Sequence, residues 1–202
     1  MRKNLIGHSG FTLMEVVVVL FIIGILAAVL TPMTLKYVDE ARTTRAAQDV
    51  QKISDAILTF NKNTGKWPIF QTAANITTTT AIYTTVVGPG NSPTCTLSGI
   101  GCTSWSSATK TTLSDVLEFN TPGFTTTGKF AWRGPYVTSP DADPWGNTYI
   151  VNASSLAFGV NQAAFVLSAG PDRQIETNFS QNIGSGSSAV TIGGDDIVAR
   201  IR

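Results

Sequence analysis

The chain has 202 residues, of which 13% are charged, with a formal net charge of +1. That length suits one globular domain with an attached element, and the balanced charge gives no electrostatic reason to expect a nucleic-acid partner. The only histidine is His8, so loss of the first ten residues would leave no histidine for a triad, a general base or a metal site.

The first ten residues are polar and carry Arg2 and Lys3. Phe11-Thr12-Leu13-Met14-Glu15 follows, and then an apolar run from Val16 to Leu30. As a helix, residues 11–31 would be roughly 31 Å long, close to a bilayer core of about 30 Å. The positive-inside bias keeps the basic leader in the cytoplasm. Glu15 is the anomaly, since an acid in a central membrane position costs about 2.5–3.5 kcal/mol, less near an end. A cut before Phe11 would create an α-amino group four residues away at similar depth, a partner for Glu15 within one chain or between staggered chains. An ordinary signal peptide needs a small-residue site after its apolar core, which Ala27-Ala28-Val29 does not supply. A plain anchor leaves Glu15 unexplained.

Gly10-Phe11-Thr12-Leu13-Met14-Glu15 resembles the class III signal of type IV pilins and type II secretion pseudopilins. The resemblance implies that a prepilin peptidase cuts after Gly10, that Phe11 becomes N-methylated, and that Glu15 neutralises the amine of a neighbouring subunit during assembly. It also places Gly24 and Pro32 among helix-loosening positions. Proline removes a backbone donor and crowds the preceding turn, so a kink or melted stretch is expected at Thr31–Met33.

Beyond Pro32, Ala46, Val50, Ile53, Ile57 and Phe60 form an apolar stripe at helical spacing, the signature of a helix covering a sheet. One long helix is therefore expected from about Phe11 to about Asn61, divided into a membrane or filament-core part at 11–31 and an amphipathic part at 32–61. Gly65 and Pro68 mark its end. Residues 62–202 form the globular domain. Within it, 72–128 are rich in Thr, Ser and Gly and read as a variable surface insertion. This insertion carries Cys95 and Cys102, whose spacing permits a small-loop disulfide outside the cytoplasm or two free thiols. Three N-glycosylation patterns, at Asn75, Asn152 and Asn178, are short enough to arise by chance and receive no function.

Phe130–Val137, Thr148–Asn152 and Ala164–Ser168 carry strand composition. Asp143-Pro144-Trp145-Gly146-Asn147 reads as a turn. The expected fold is α+β, a long helix packed on a small antiparallel sheet. Near the C-terminus, Asp172, Asp195 and Asp196 can supply carboxylates to calcium, with carbonyls from glycine-rich flanks. Alternatively, the Gly193-Gly194-Asp195-Asp196 segment is a turn joining strands at Ala189–Ile192 and Ile197–Ile201.

Gly65-Lys66-Trp67-Pro68, Gly134-Pro135-Tyr136-Val137, Asp143–Tyr149 and Ser168-Ala169-Gly170-Pro171-Asp172 stand in the order seen in the major (G-type) pseudopilin of type II secretion. That resemblance implies a calcium-binding C-terminal loop, with Asp172 and either Asp195 or Asp196 as ligands. The family loop is short, whereas Arg173–Gly194 places 22 residues between the acids here. It further implies a single-pass subunit of the bacterial inner membrane with an extracytoplasmic domain. Its partners would be copies of itself, prepilin peptidase, an inner-membrane assembly platform and minor pilins or pseudopilins. The functional alternatives are a secretion pseudopilus subunit, a major type IV pilin for adhesion, motility or DNA uptake, and a membrane-anchored enzyme. The last lacks any recognisable nucleophile–base pair or phosphate loop.

Overall fold

The computed structural model describes residues 10–70, 83–97, 100–182 and 190–202. The leader up to Ser9, Asn75 and part of the threonine-rich insertion lie outside them. The chain forms two compact units, one ending at Ala41 and the other comprising Arg42–Arg202.

Helix α1 is Leu13–Thr64. Thr12 caps its start, since its hydroxyl accepts the Glu15 N–H at 3.2 Å. The melted stretch that was one form of the break expected at Thr31–Met33 is absent, since helical structure runs through Pro32. One lost N–H is tolerable where threonine hydroxyls bond the neighbouring turns. Thr31 donates to the Ala27 carbonyl at 2.7 Å and Thr34 to that of Thr31 at 2.8 Å. Gly65 ends the helix with a φ of 68° and an N–H bond to the Asn61 carbonyl at 2.8 Å, the left-handed cap that glycine adopts without a Cβ penalty.

Among the described residues the sheet has five strands in the order β3-β1-β4-β5-β7, namely β1 Thr85–Val87, β3 Lys110–Thr112, β4 Ile150–Val151, β5 Phe165–Ser168 and β7 Ile197–Arg200. The β1–β4, β4–β5 and β5–β7 pairs are antiparallel. The sheet is nevertheless mixed, because β1 and β3 run parallel. Parallel neighbours need a long crossover, and residues 88–109 supply it. The supposed surface insertion therefore builds one side of the sheet, with Val86 fully buried.

Phe130–Val137 forms no strand. Its aromatic residues pack on the core instead, with the Tyr136 ring 5.5 Å from that of Phe60 and 5.7 Å from that of Trp132. Residues 190–192 are not a strand either. The Asp143 turn does form. The buried Asp143 carboxylate accepts the N–H groups of Trp145 and Asn147 and the Ser168 hydroxyl.

Strand alternation divides the apolar side chains between two faces. Val151, Val166 and Ala199 join Val50, Ile53, Ile57 and Phe60 of α1 in one cluster. Ile150, Phe165 and Leu167 join Trp105, Ile175 and Phe179 in the other. The second cover consists of the crossover helix α2, Ile100–Trp105, and the two-residue strand β6, Gln174–Ile175, which pairs in parallel with β2, Thr94–Cys95.

Candidate functional site

The N-terminal part of α1 exposes apolar side chains from Leu13 to Val38. Its most apolar 18-residue window has a mean hydropathy of 3.0 and no residue buried within the chain. By length and composition this helix can cross a membrane, and so large an apolar surface calls for lipid or neighbouring helices. Glu15 lies in its first turn, where the helix dipole favours a negative charge. The next basic residue along the helix is Lys36, roughly 31 Å away. Gly10 and Phe11 precede the helix and are exposed.

The C-terminal acids occupy two facing turns. After β5, Gly170 and Arg173 take positive φ values of 66° and 64°, and Asp172 lies between them. Before β7, Gly193–Asp196 form a turn in which the Asp196 N–H bonds the Gly193 carbonyl at 3.2 Å. The two turns fit closely. A Cβ at Gly170 would stand 2.5 Å from the Asp195 carbonyl oxygen, and the Asp172 N–H donates to Asp195 Oδ2 at 3.3 Å.

Oxygens of Asp172, Glu176 and Asp195 lie within 4.8 Å of one another. Partial burial, with the facing Asp172 charge added, raises the Asp195 pKa above the ordinary carboxylate value. Of the expected residues, Asp172 and Asp195 are brought together and Asp196 is placed differently. Asp196 is buried, and its Oδ2 accepts the N–H groups of Glu176 and Thr177 at 2.9 and 2.7 Å. Burial raises its pKa, while those hydrogen bonds lower it. Its Oδ1 is buried with no hydrogen-bond partner among the described residues. Glu176 was missed by sequence reasoning because only the tertiary turn brings it to the acids; its sole local signal is a carboxylate inside the long 173–194 segment.

Cys95 and Cys102 form a disulfide, with an S–S distance of 2.07 Å. Its loop adjoins the acidic turns through β2. Asn152 cannot serve as a glycan acceptor in the folded domain, being fully buried, whereas Asn178 is exposed.

A cavity of about 330 Å³ is lined by Arg45, Asp49, Lys52, Asp141 and Tyr149, among others. The Tyr149 hydroxyl donates to Asp49 Oδ2 at 3.3 Å. Burial, followed by the charges of Asp49 and Asp143, raises its pKa well above the ordinary tyrosine value.

Comparison with known proteins points to the same N-terminal segment. Residues 7–31 match the prokaryotic N-terminal methylation motif. The chain is 36% identical over 75 residues to a fimbrial protein of Neisseria meningitidis, covering 37% of this chain and 44% of that protein. It is 38% identical over 64 residues to type II secretion system core protein G of Pseudomonas aeruginosa, covering 32% and 45%. Core protein G of Escherichia coli is 26% identical over 170 residues, covering 84% of this chain and 86% of that protein. The first relatives are thus matched over less than half their length. No solved structure matches the chain significantly. Residues 7–31 thus carry the N-terminal methylation motif ahead of an α+β domain, and the chain is similar both to type IV pilins and to type II secretion core protein G.

Proposed function

We propose that the chain is the major pseudopilin of a type II secretion system, polymerising from the inner membrane to support protein export. The observation that carries this reading is the extent of similarity. The alignment with Escherichia coli core protein G covers 84% of the chain, whereas that with the meningococcal fimbrial protein covers 37%. A second reading, a major surface pilin, draws on the higher identity of that shorter match. Disruption of the gene in its native host separates the two. Lost protein export with surface fimbriae intact is expected, and lost fimbriae with normal export would refute the secretion reading.

In this reading, prepilin peptidase cuts after Gly10 and Phe11 is methylated. The domain then lies outside the cytoplasm, and the assembly platform and minor pseudopilins are its further partners. Glu15 supplies a carboxylate to the amine of an adjoining subunit. The exposed apolar surface of α1 supports this packing, and Pro32 marks where the helix lacks one backbone donor. Mass spectrometry of the mature N-terminus tests the processing step. Methylated Phe11 is expected, while an intact Met1 or a cut near Ala28 would overturn it.

We also propose calcium as a structural cofactor of the facing turns, with Asp172 and Asp195 holding it. The donors are hard oxygens, the ligand class calcium takes. The Asp195 carbonyl approaches Gly170 as closely as only glycine permits, and an orphaned carboxylate oxygen lies buried on the adjacent Asp196. A bound cation would offset the repulsion among the carboxylates. The chain's own contribution is to fasten the end of β5 to the start of β7 through the Asp172 N–H and the Asp195 carboxylate.

A further inference from the structure

We propose that Glu176 is the third carboxylate ligand of this calcium site, and that the disulfide-closed segment Thr94–Trp105 is the brace that holds it in place. The inference rests on the calcium reading above. It assigns roles to two stretches that family resemblance leaves without one, the crossover and the long segment after Asp172.

Glu176 is held from both sides. Its own N–H and that of Thr177 are bonded by the buried Asp196 carboxylate. The Thr177 carbonyl accepts the Trp105 indole N–H at 2.9 Å, and the Thr177 hydroxyl accepts the Gly193 N–H at 3.0 Å. The backbone on either side of the Glu176 side chain is therefore fixed by Asp196, Trp105 and Gly193. Asp196 acts here as a positioning residue, orienting a ligand without entering the cluster.

The opposing turn has room for this side chain because it lacks its own. A Cβ on Gly193 would overlap the Glu176 backbone, and one on Gly194 would occupy the place of Glu176 Oε2. Two consecutive glycines thus admit the Glu176 carboxylate beside Asp195. The segment after Asp172 returns a ligand to the site within four residues, so the length of the remainder does not separate the donors.

The brace reaches the strand between the two acids. β6 lies between Asp172 and Glu176 and, among the described residues, pairs only with β2. The Thr94 N–H bonds the Arg173 carbonyl at 3.1 Å, and the Thr96 N–H bonds that of Ile175 at 3.2 Å. Cys95 lies between these two contacts and is tied to Cys102 in α2, the helix that also presents Trp105. Opening the disulfide frees β2 from α2 and loosens both contacts with the Glu176 segment at once.

Calorimetric titration of the detergent-solubilised full chain with calcium chloride tests the proposal. Wild type in its oxidised form should bind. Glu176→Gln should bind about tenfold more weakly or worse, since charge count sets calcium affinity. Its melting temperature in chelator should equal that of wild type, which certifies the fold. If Glu176→Gln does not fold, Glu176→Asp replaces it, and affinity below wild type is expected. The Cys95→Ser/Cys102→Ser double variant should lose about 10- to 100-fold, the usual scale for removing support around a ligand. Wild-type affinity in the Glu176 variant overturns its role as ligand and leaves the calcium reading standing. Wild-type affinity in the double serine variant overturns the brace. Failure of the wild-type chain to bind calcium overturns both the proposal and the calcium reading.

Discussion

Replacing Asn152 by alanine should be among the most damaging single changes in the domain. Asn152 directly follows β4 and is fully buried. Its amide donates to the carbonyls of Ala163 and Phe179 at 2.8 and 2.9 Å, and its Oδ1 accepts the Phe165 N–H at 2.7 Å. The Ser155 hydroxyl is a third, exchangeable partner at 3.1 Å. Alanine would leave one N–H and two carbonyls buried without partners. At about 1–3 kcal/mol for each unsatisfied group, with some relaxation, the loss is about 3–6 kcal/mol. For a domain of this size that lowers the melting temperature by roughly 10–20 °C. Scanning calorimetry of the detergent-solubilised chain reads it directly. A shift of only a few degrees would show that these bonds do not hold β4, β5 and the Phe179 segment together.

Three further outcomes are expected. Glu15→Ala should be inserted and cleaved normally, yet lower filament yield by about tenfold or more, equivalent to ~1.4 kcal/mol per subunit contact; normal yield by electron microscopy would count against pairing with the amine. Calcium at 100-fold over its dissociation constant should stabilise wild type by about 2.7 kcal/mol, while Asp172→Ala should melt identically in calcium and chelator. Burial makes Tyr149 hold its proton more tightly in the folded state than an ordinary tyrosine, which titrates at about 10. Below that pH both states are protonated and nothing is lost. Above it the unfolded chain releases the proton first, so stability falls as pH rises. Tyr149→Phe should therefore resist alkaline unfolding better than wild type and lack the latest-rising phase of phenolate absorbance; identical alkaline midpoints would refute the assignment.

The elements most legible in the sequence were those with a period. The stripe Ala46, Val50, Ile53, Ile57 and Phe60 is buried in full, because one helical face settles the matter locally. The run Phe165–Ser168 is similarly self-evident as a strand buried on both faces. Phe130–Val137 misled because aromatic composition serves packing as well as pairing. The strands β1 and β3 hid within threonine-rich sequence, where three residues give no period to read. At the acidic cluster, Asp172 stood out by the Gly170-Pro171 pair before it, while the sequence left Asp195 and Asp196 as alternatives, of which the fold brings Asp195 to the cluster. Glu176 depends on a chain reversal that brings Gly193 and Gly194 against it, and no local pattern encodes that meeting.

β7 comes last among the elements, yet it forms four registered pairs with β5. The Arg200 carbonyl next accepts the Ser54 hydroxyl of α1, across 146 positions of sequence. The domain therefore cannot complete itself progressively as it emerges from the ribosome. Its oldest and youngest segments must meet, and such distant pairing forms slowly. A message truncated before Ile197 would yield a chain with its anchor intact and its sheet open along β5. Such a chain would be a natural target for proteolytic quality control, which would keep unfinished subunits out of the assembling pool.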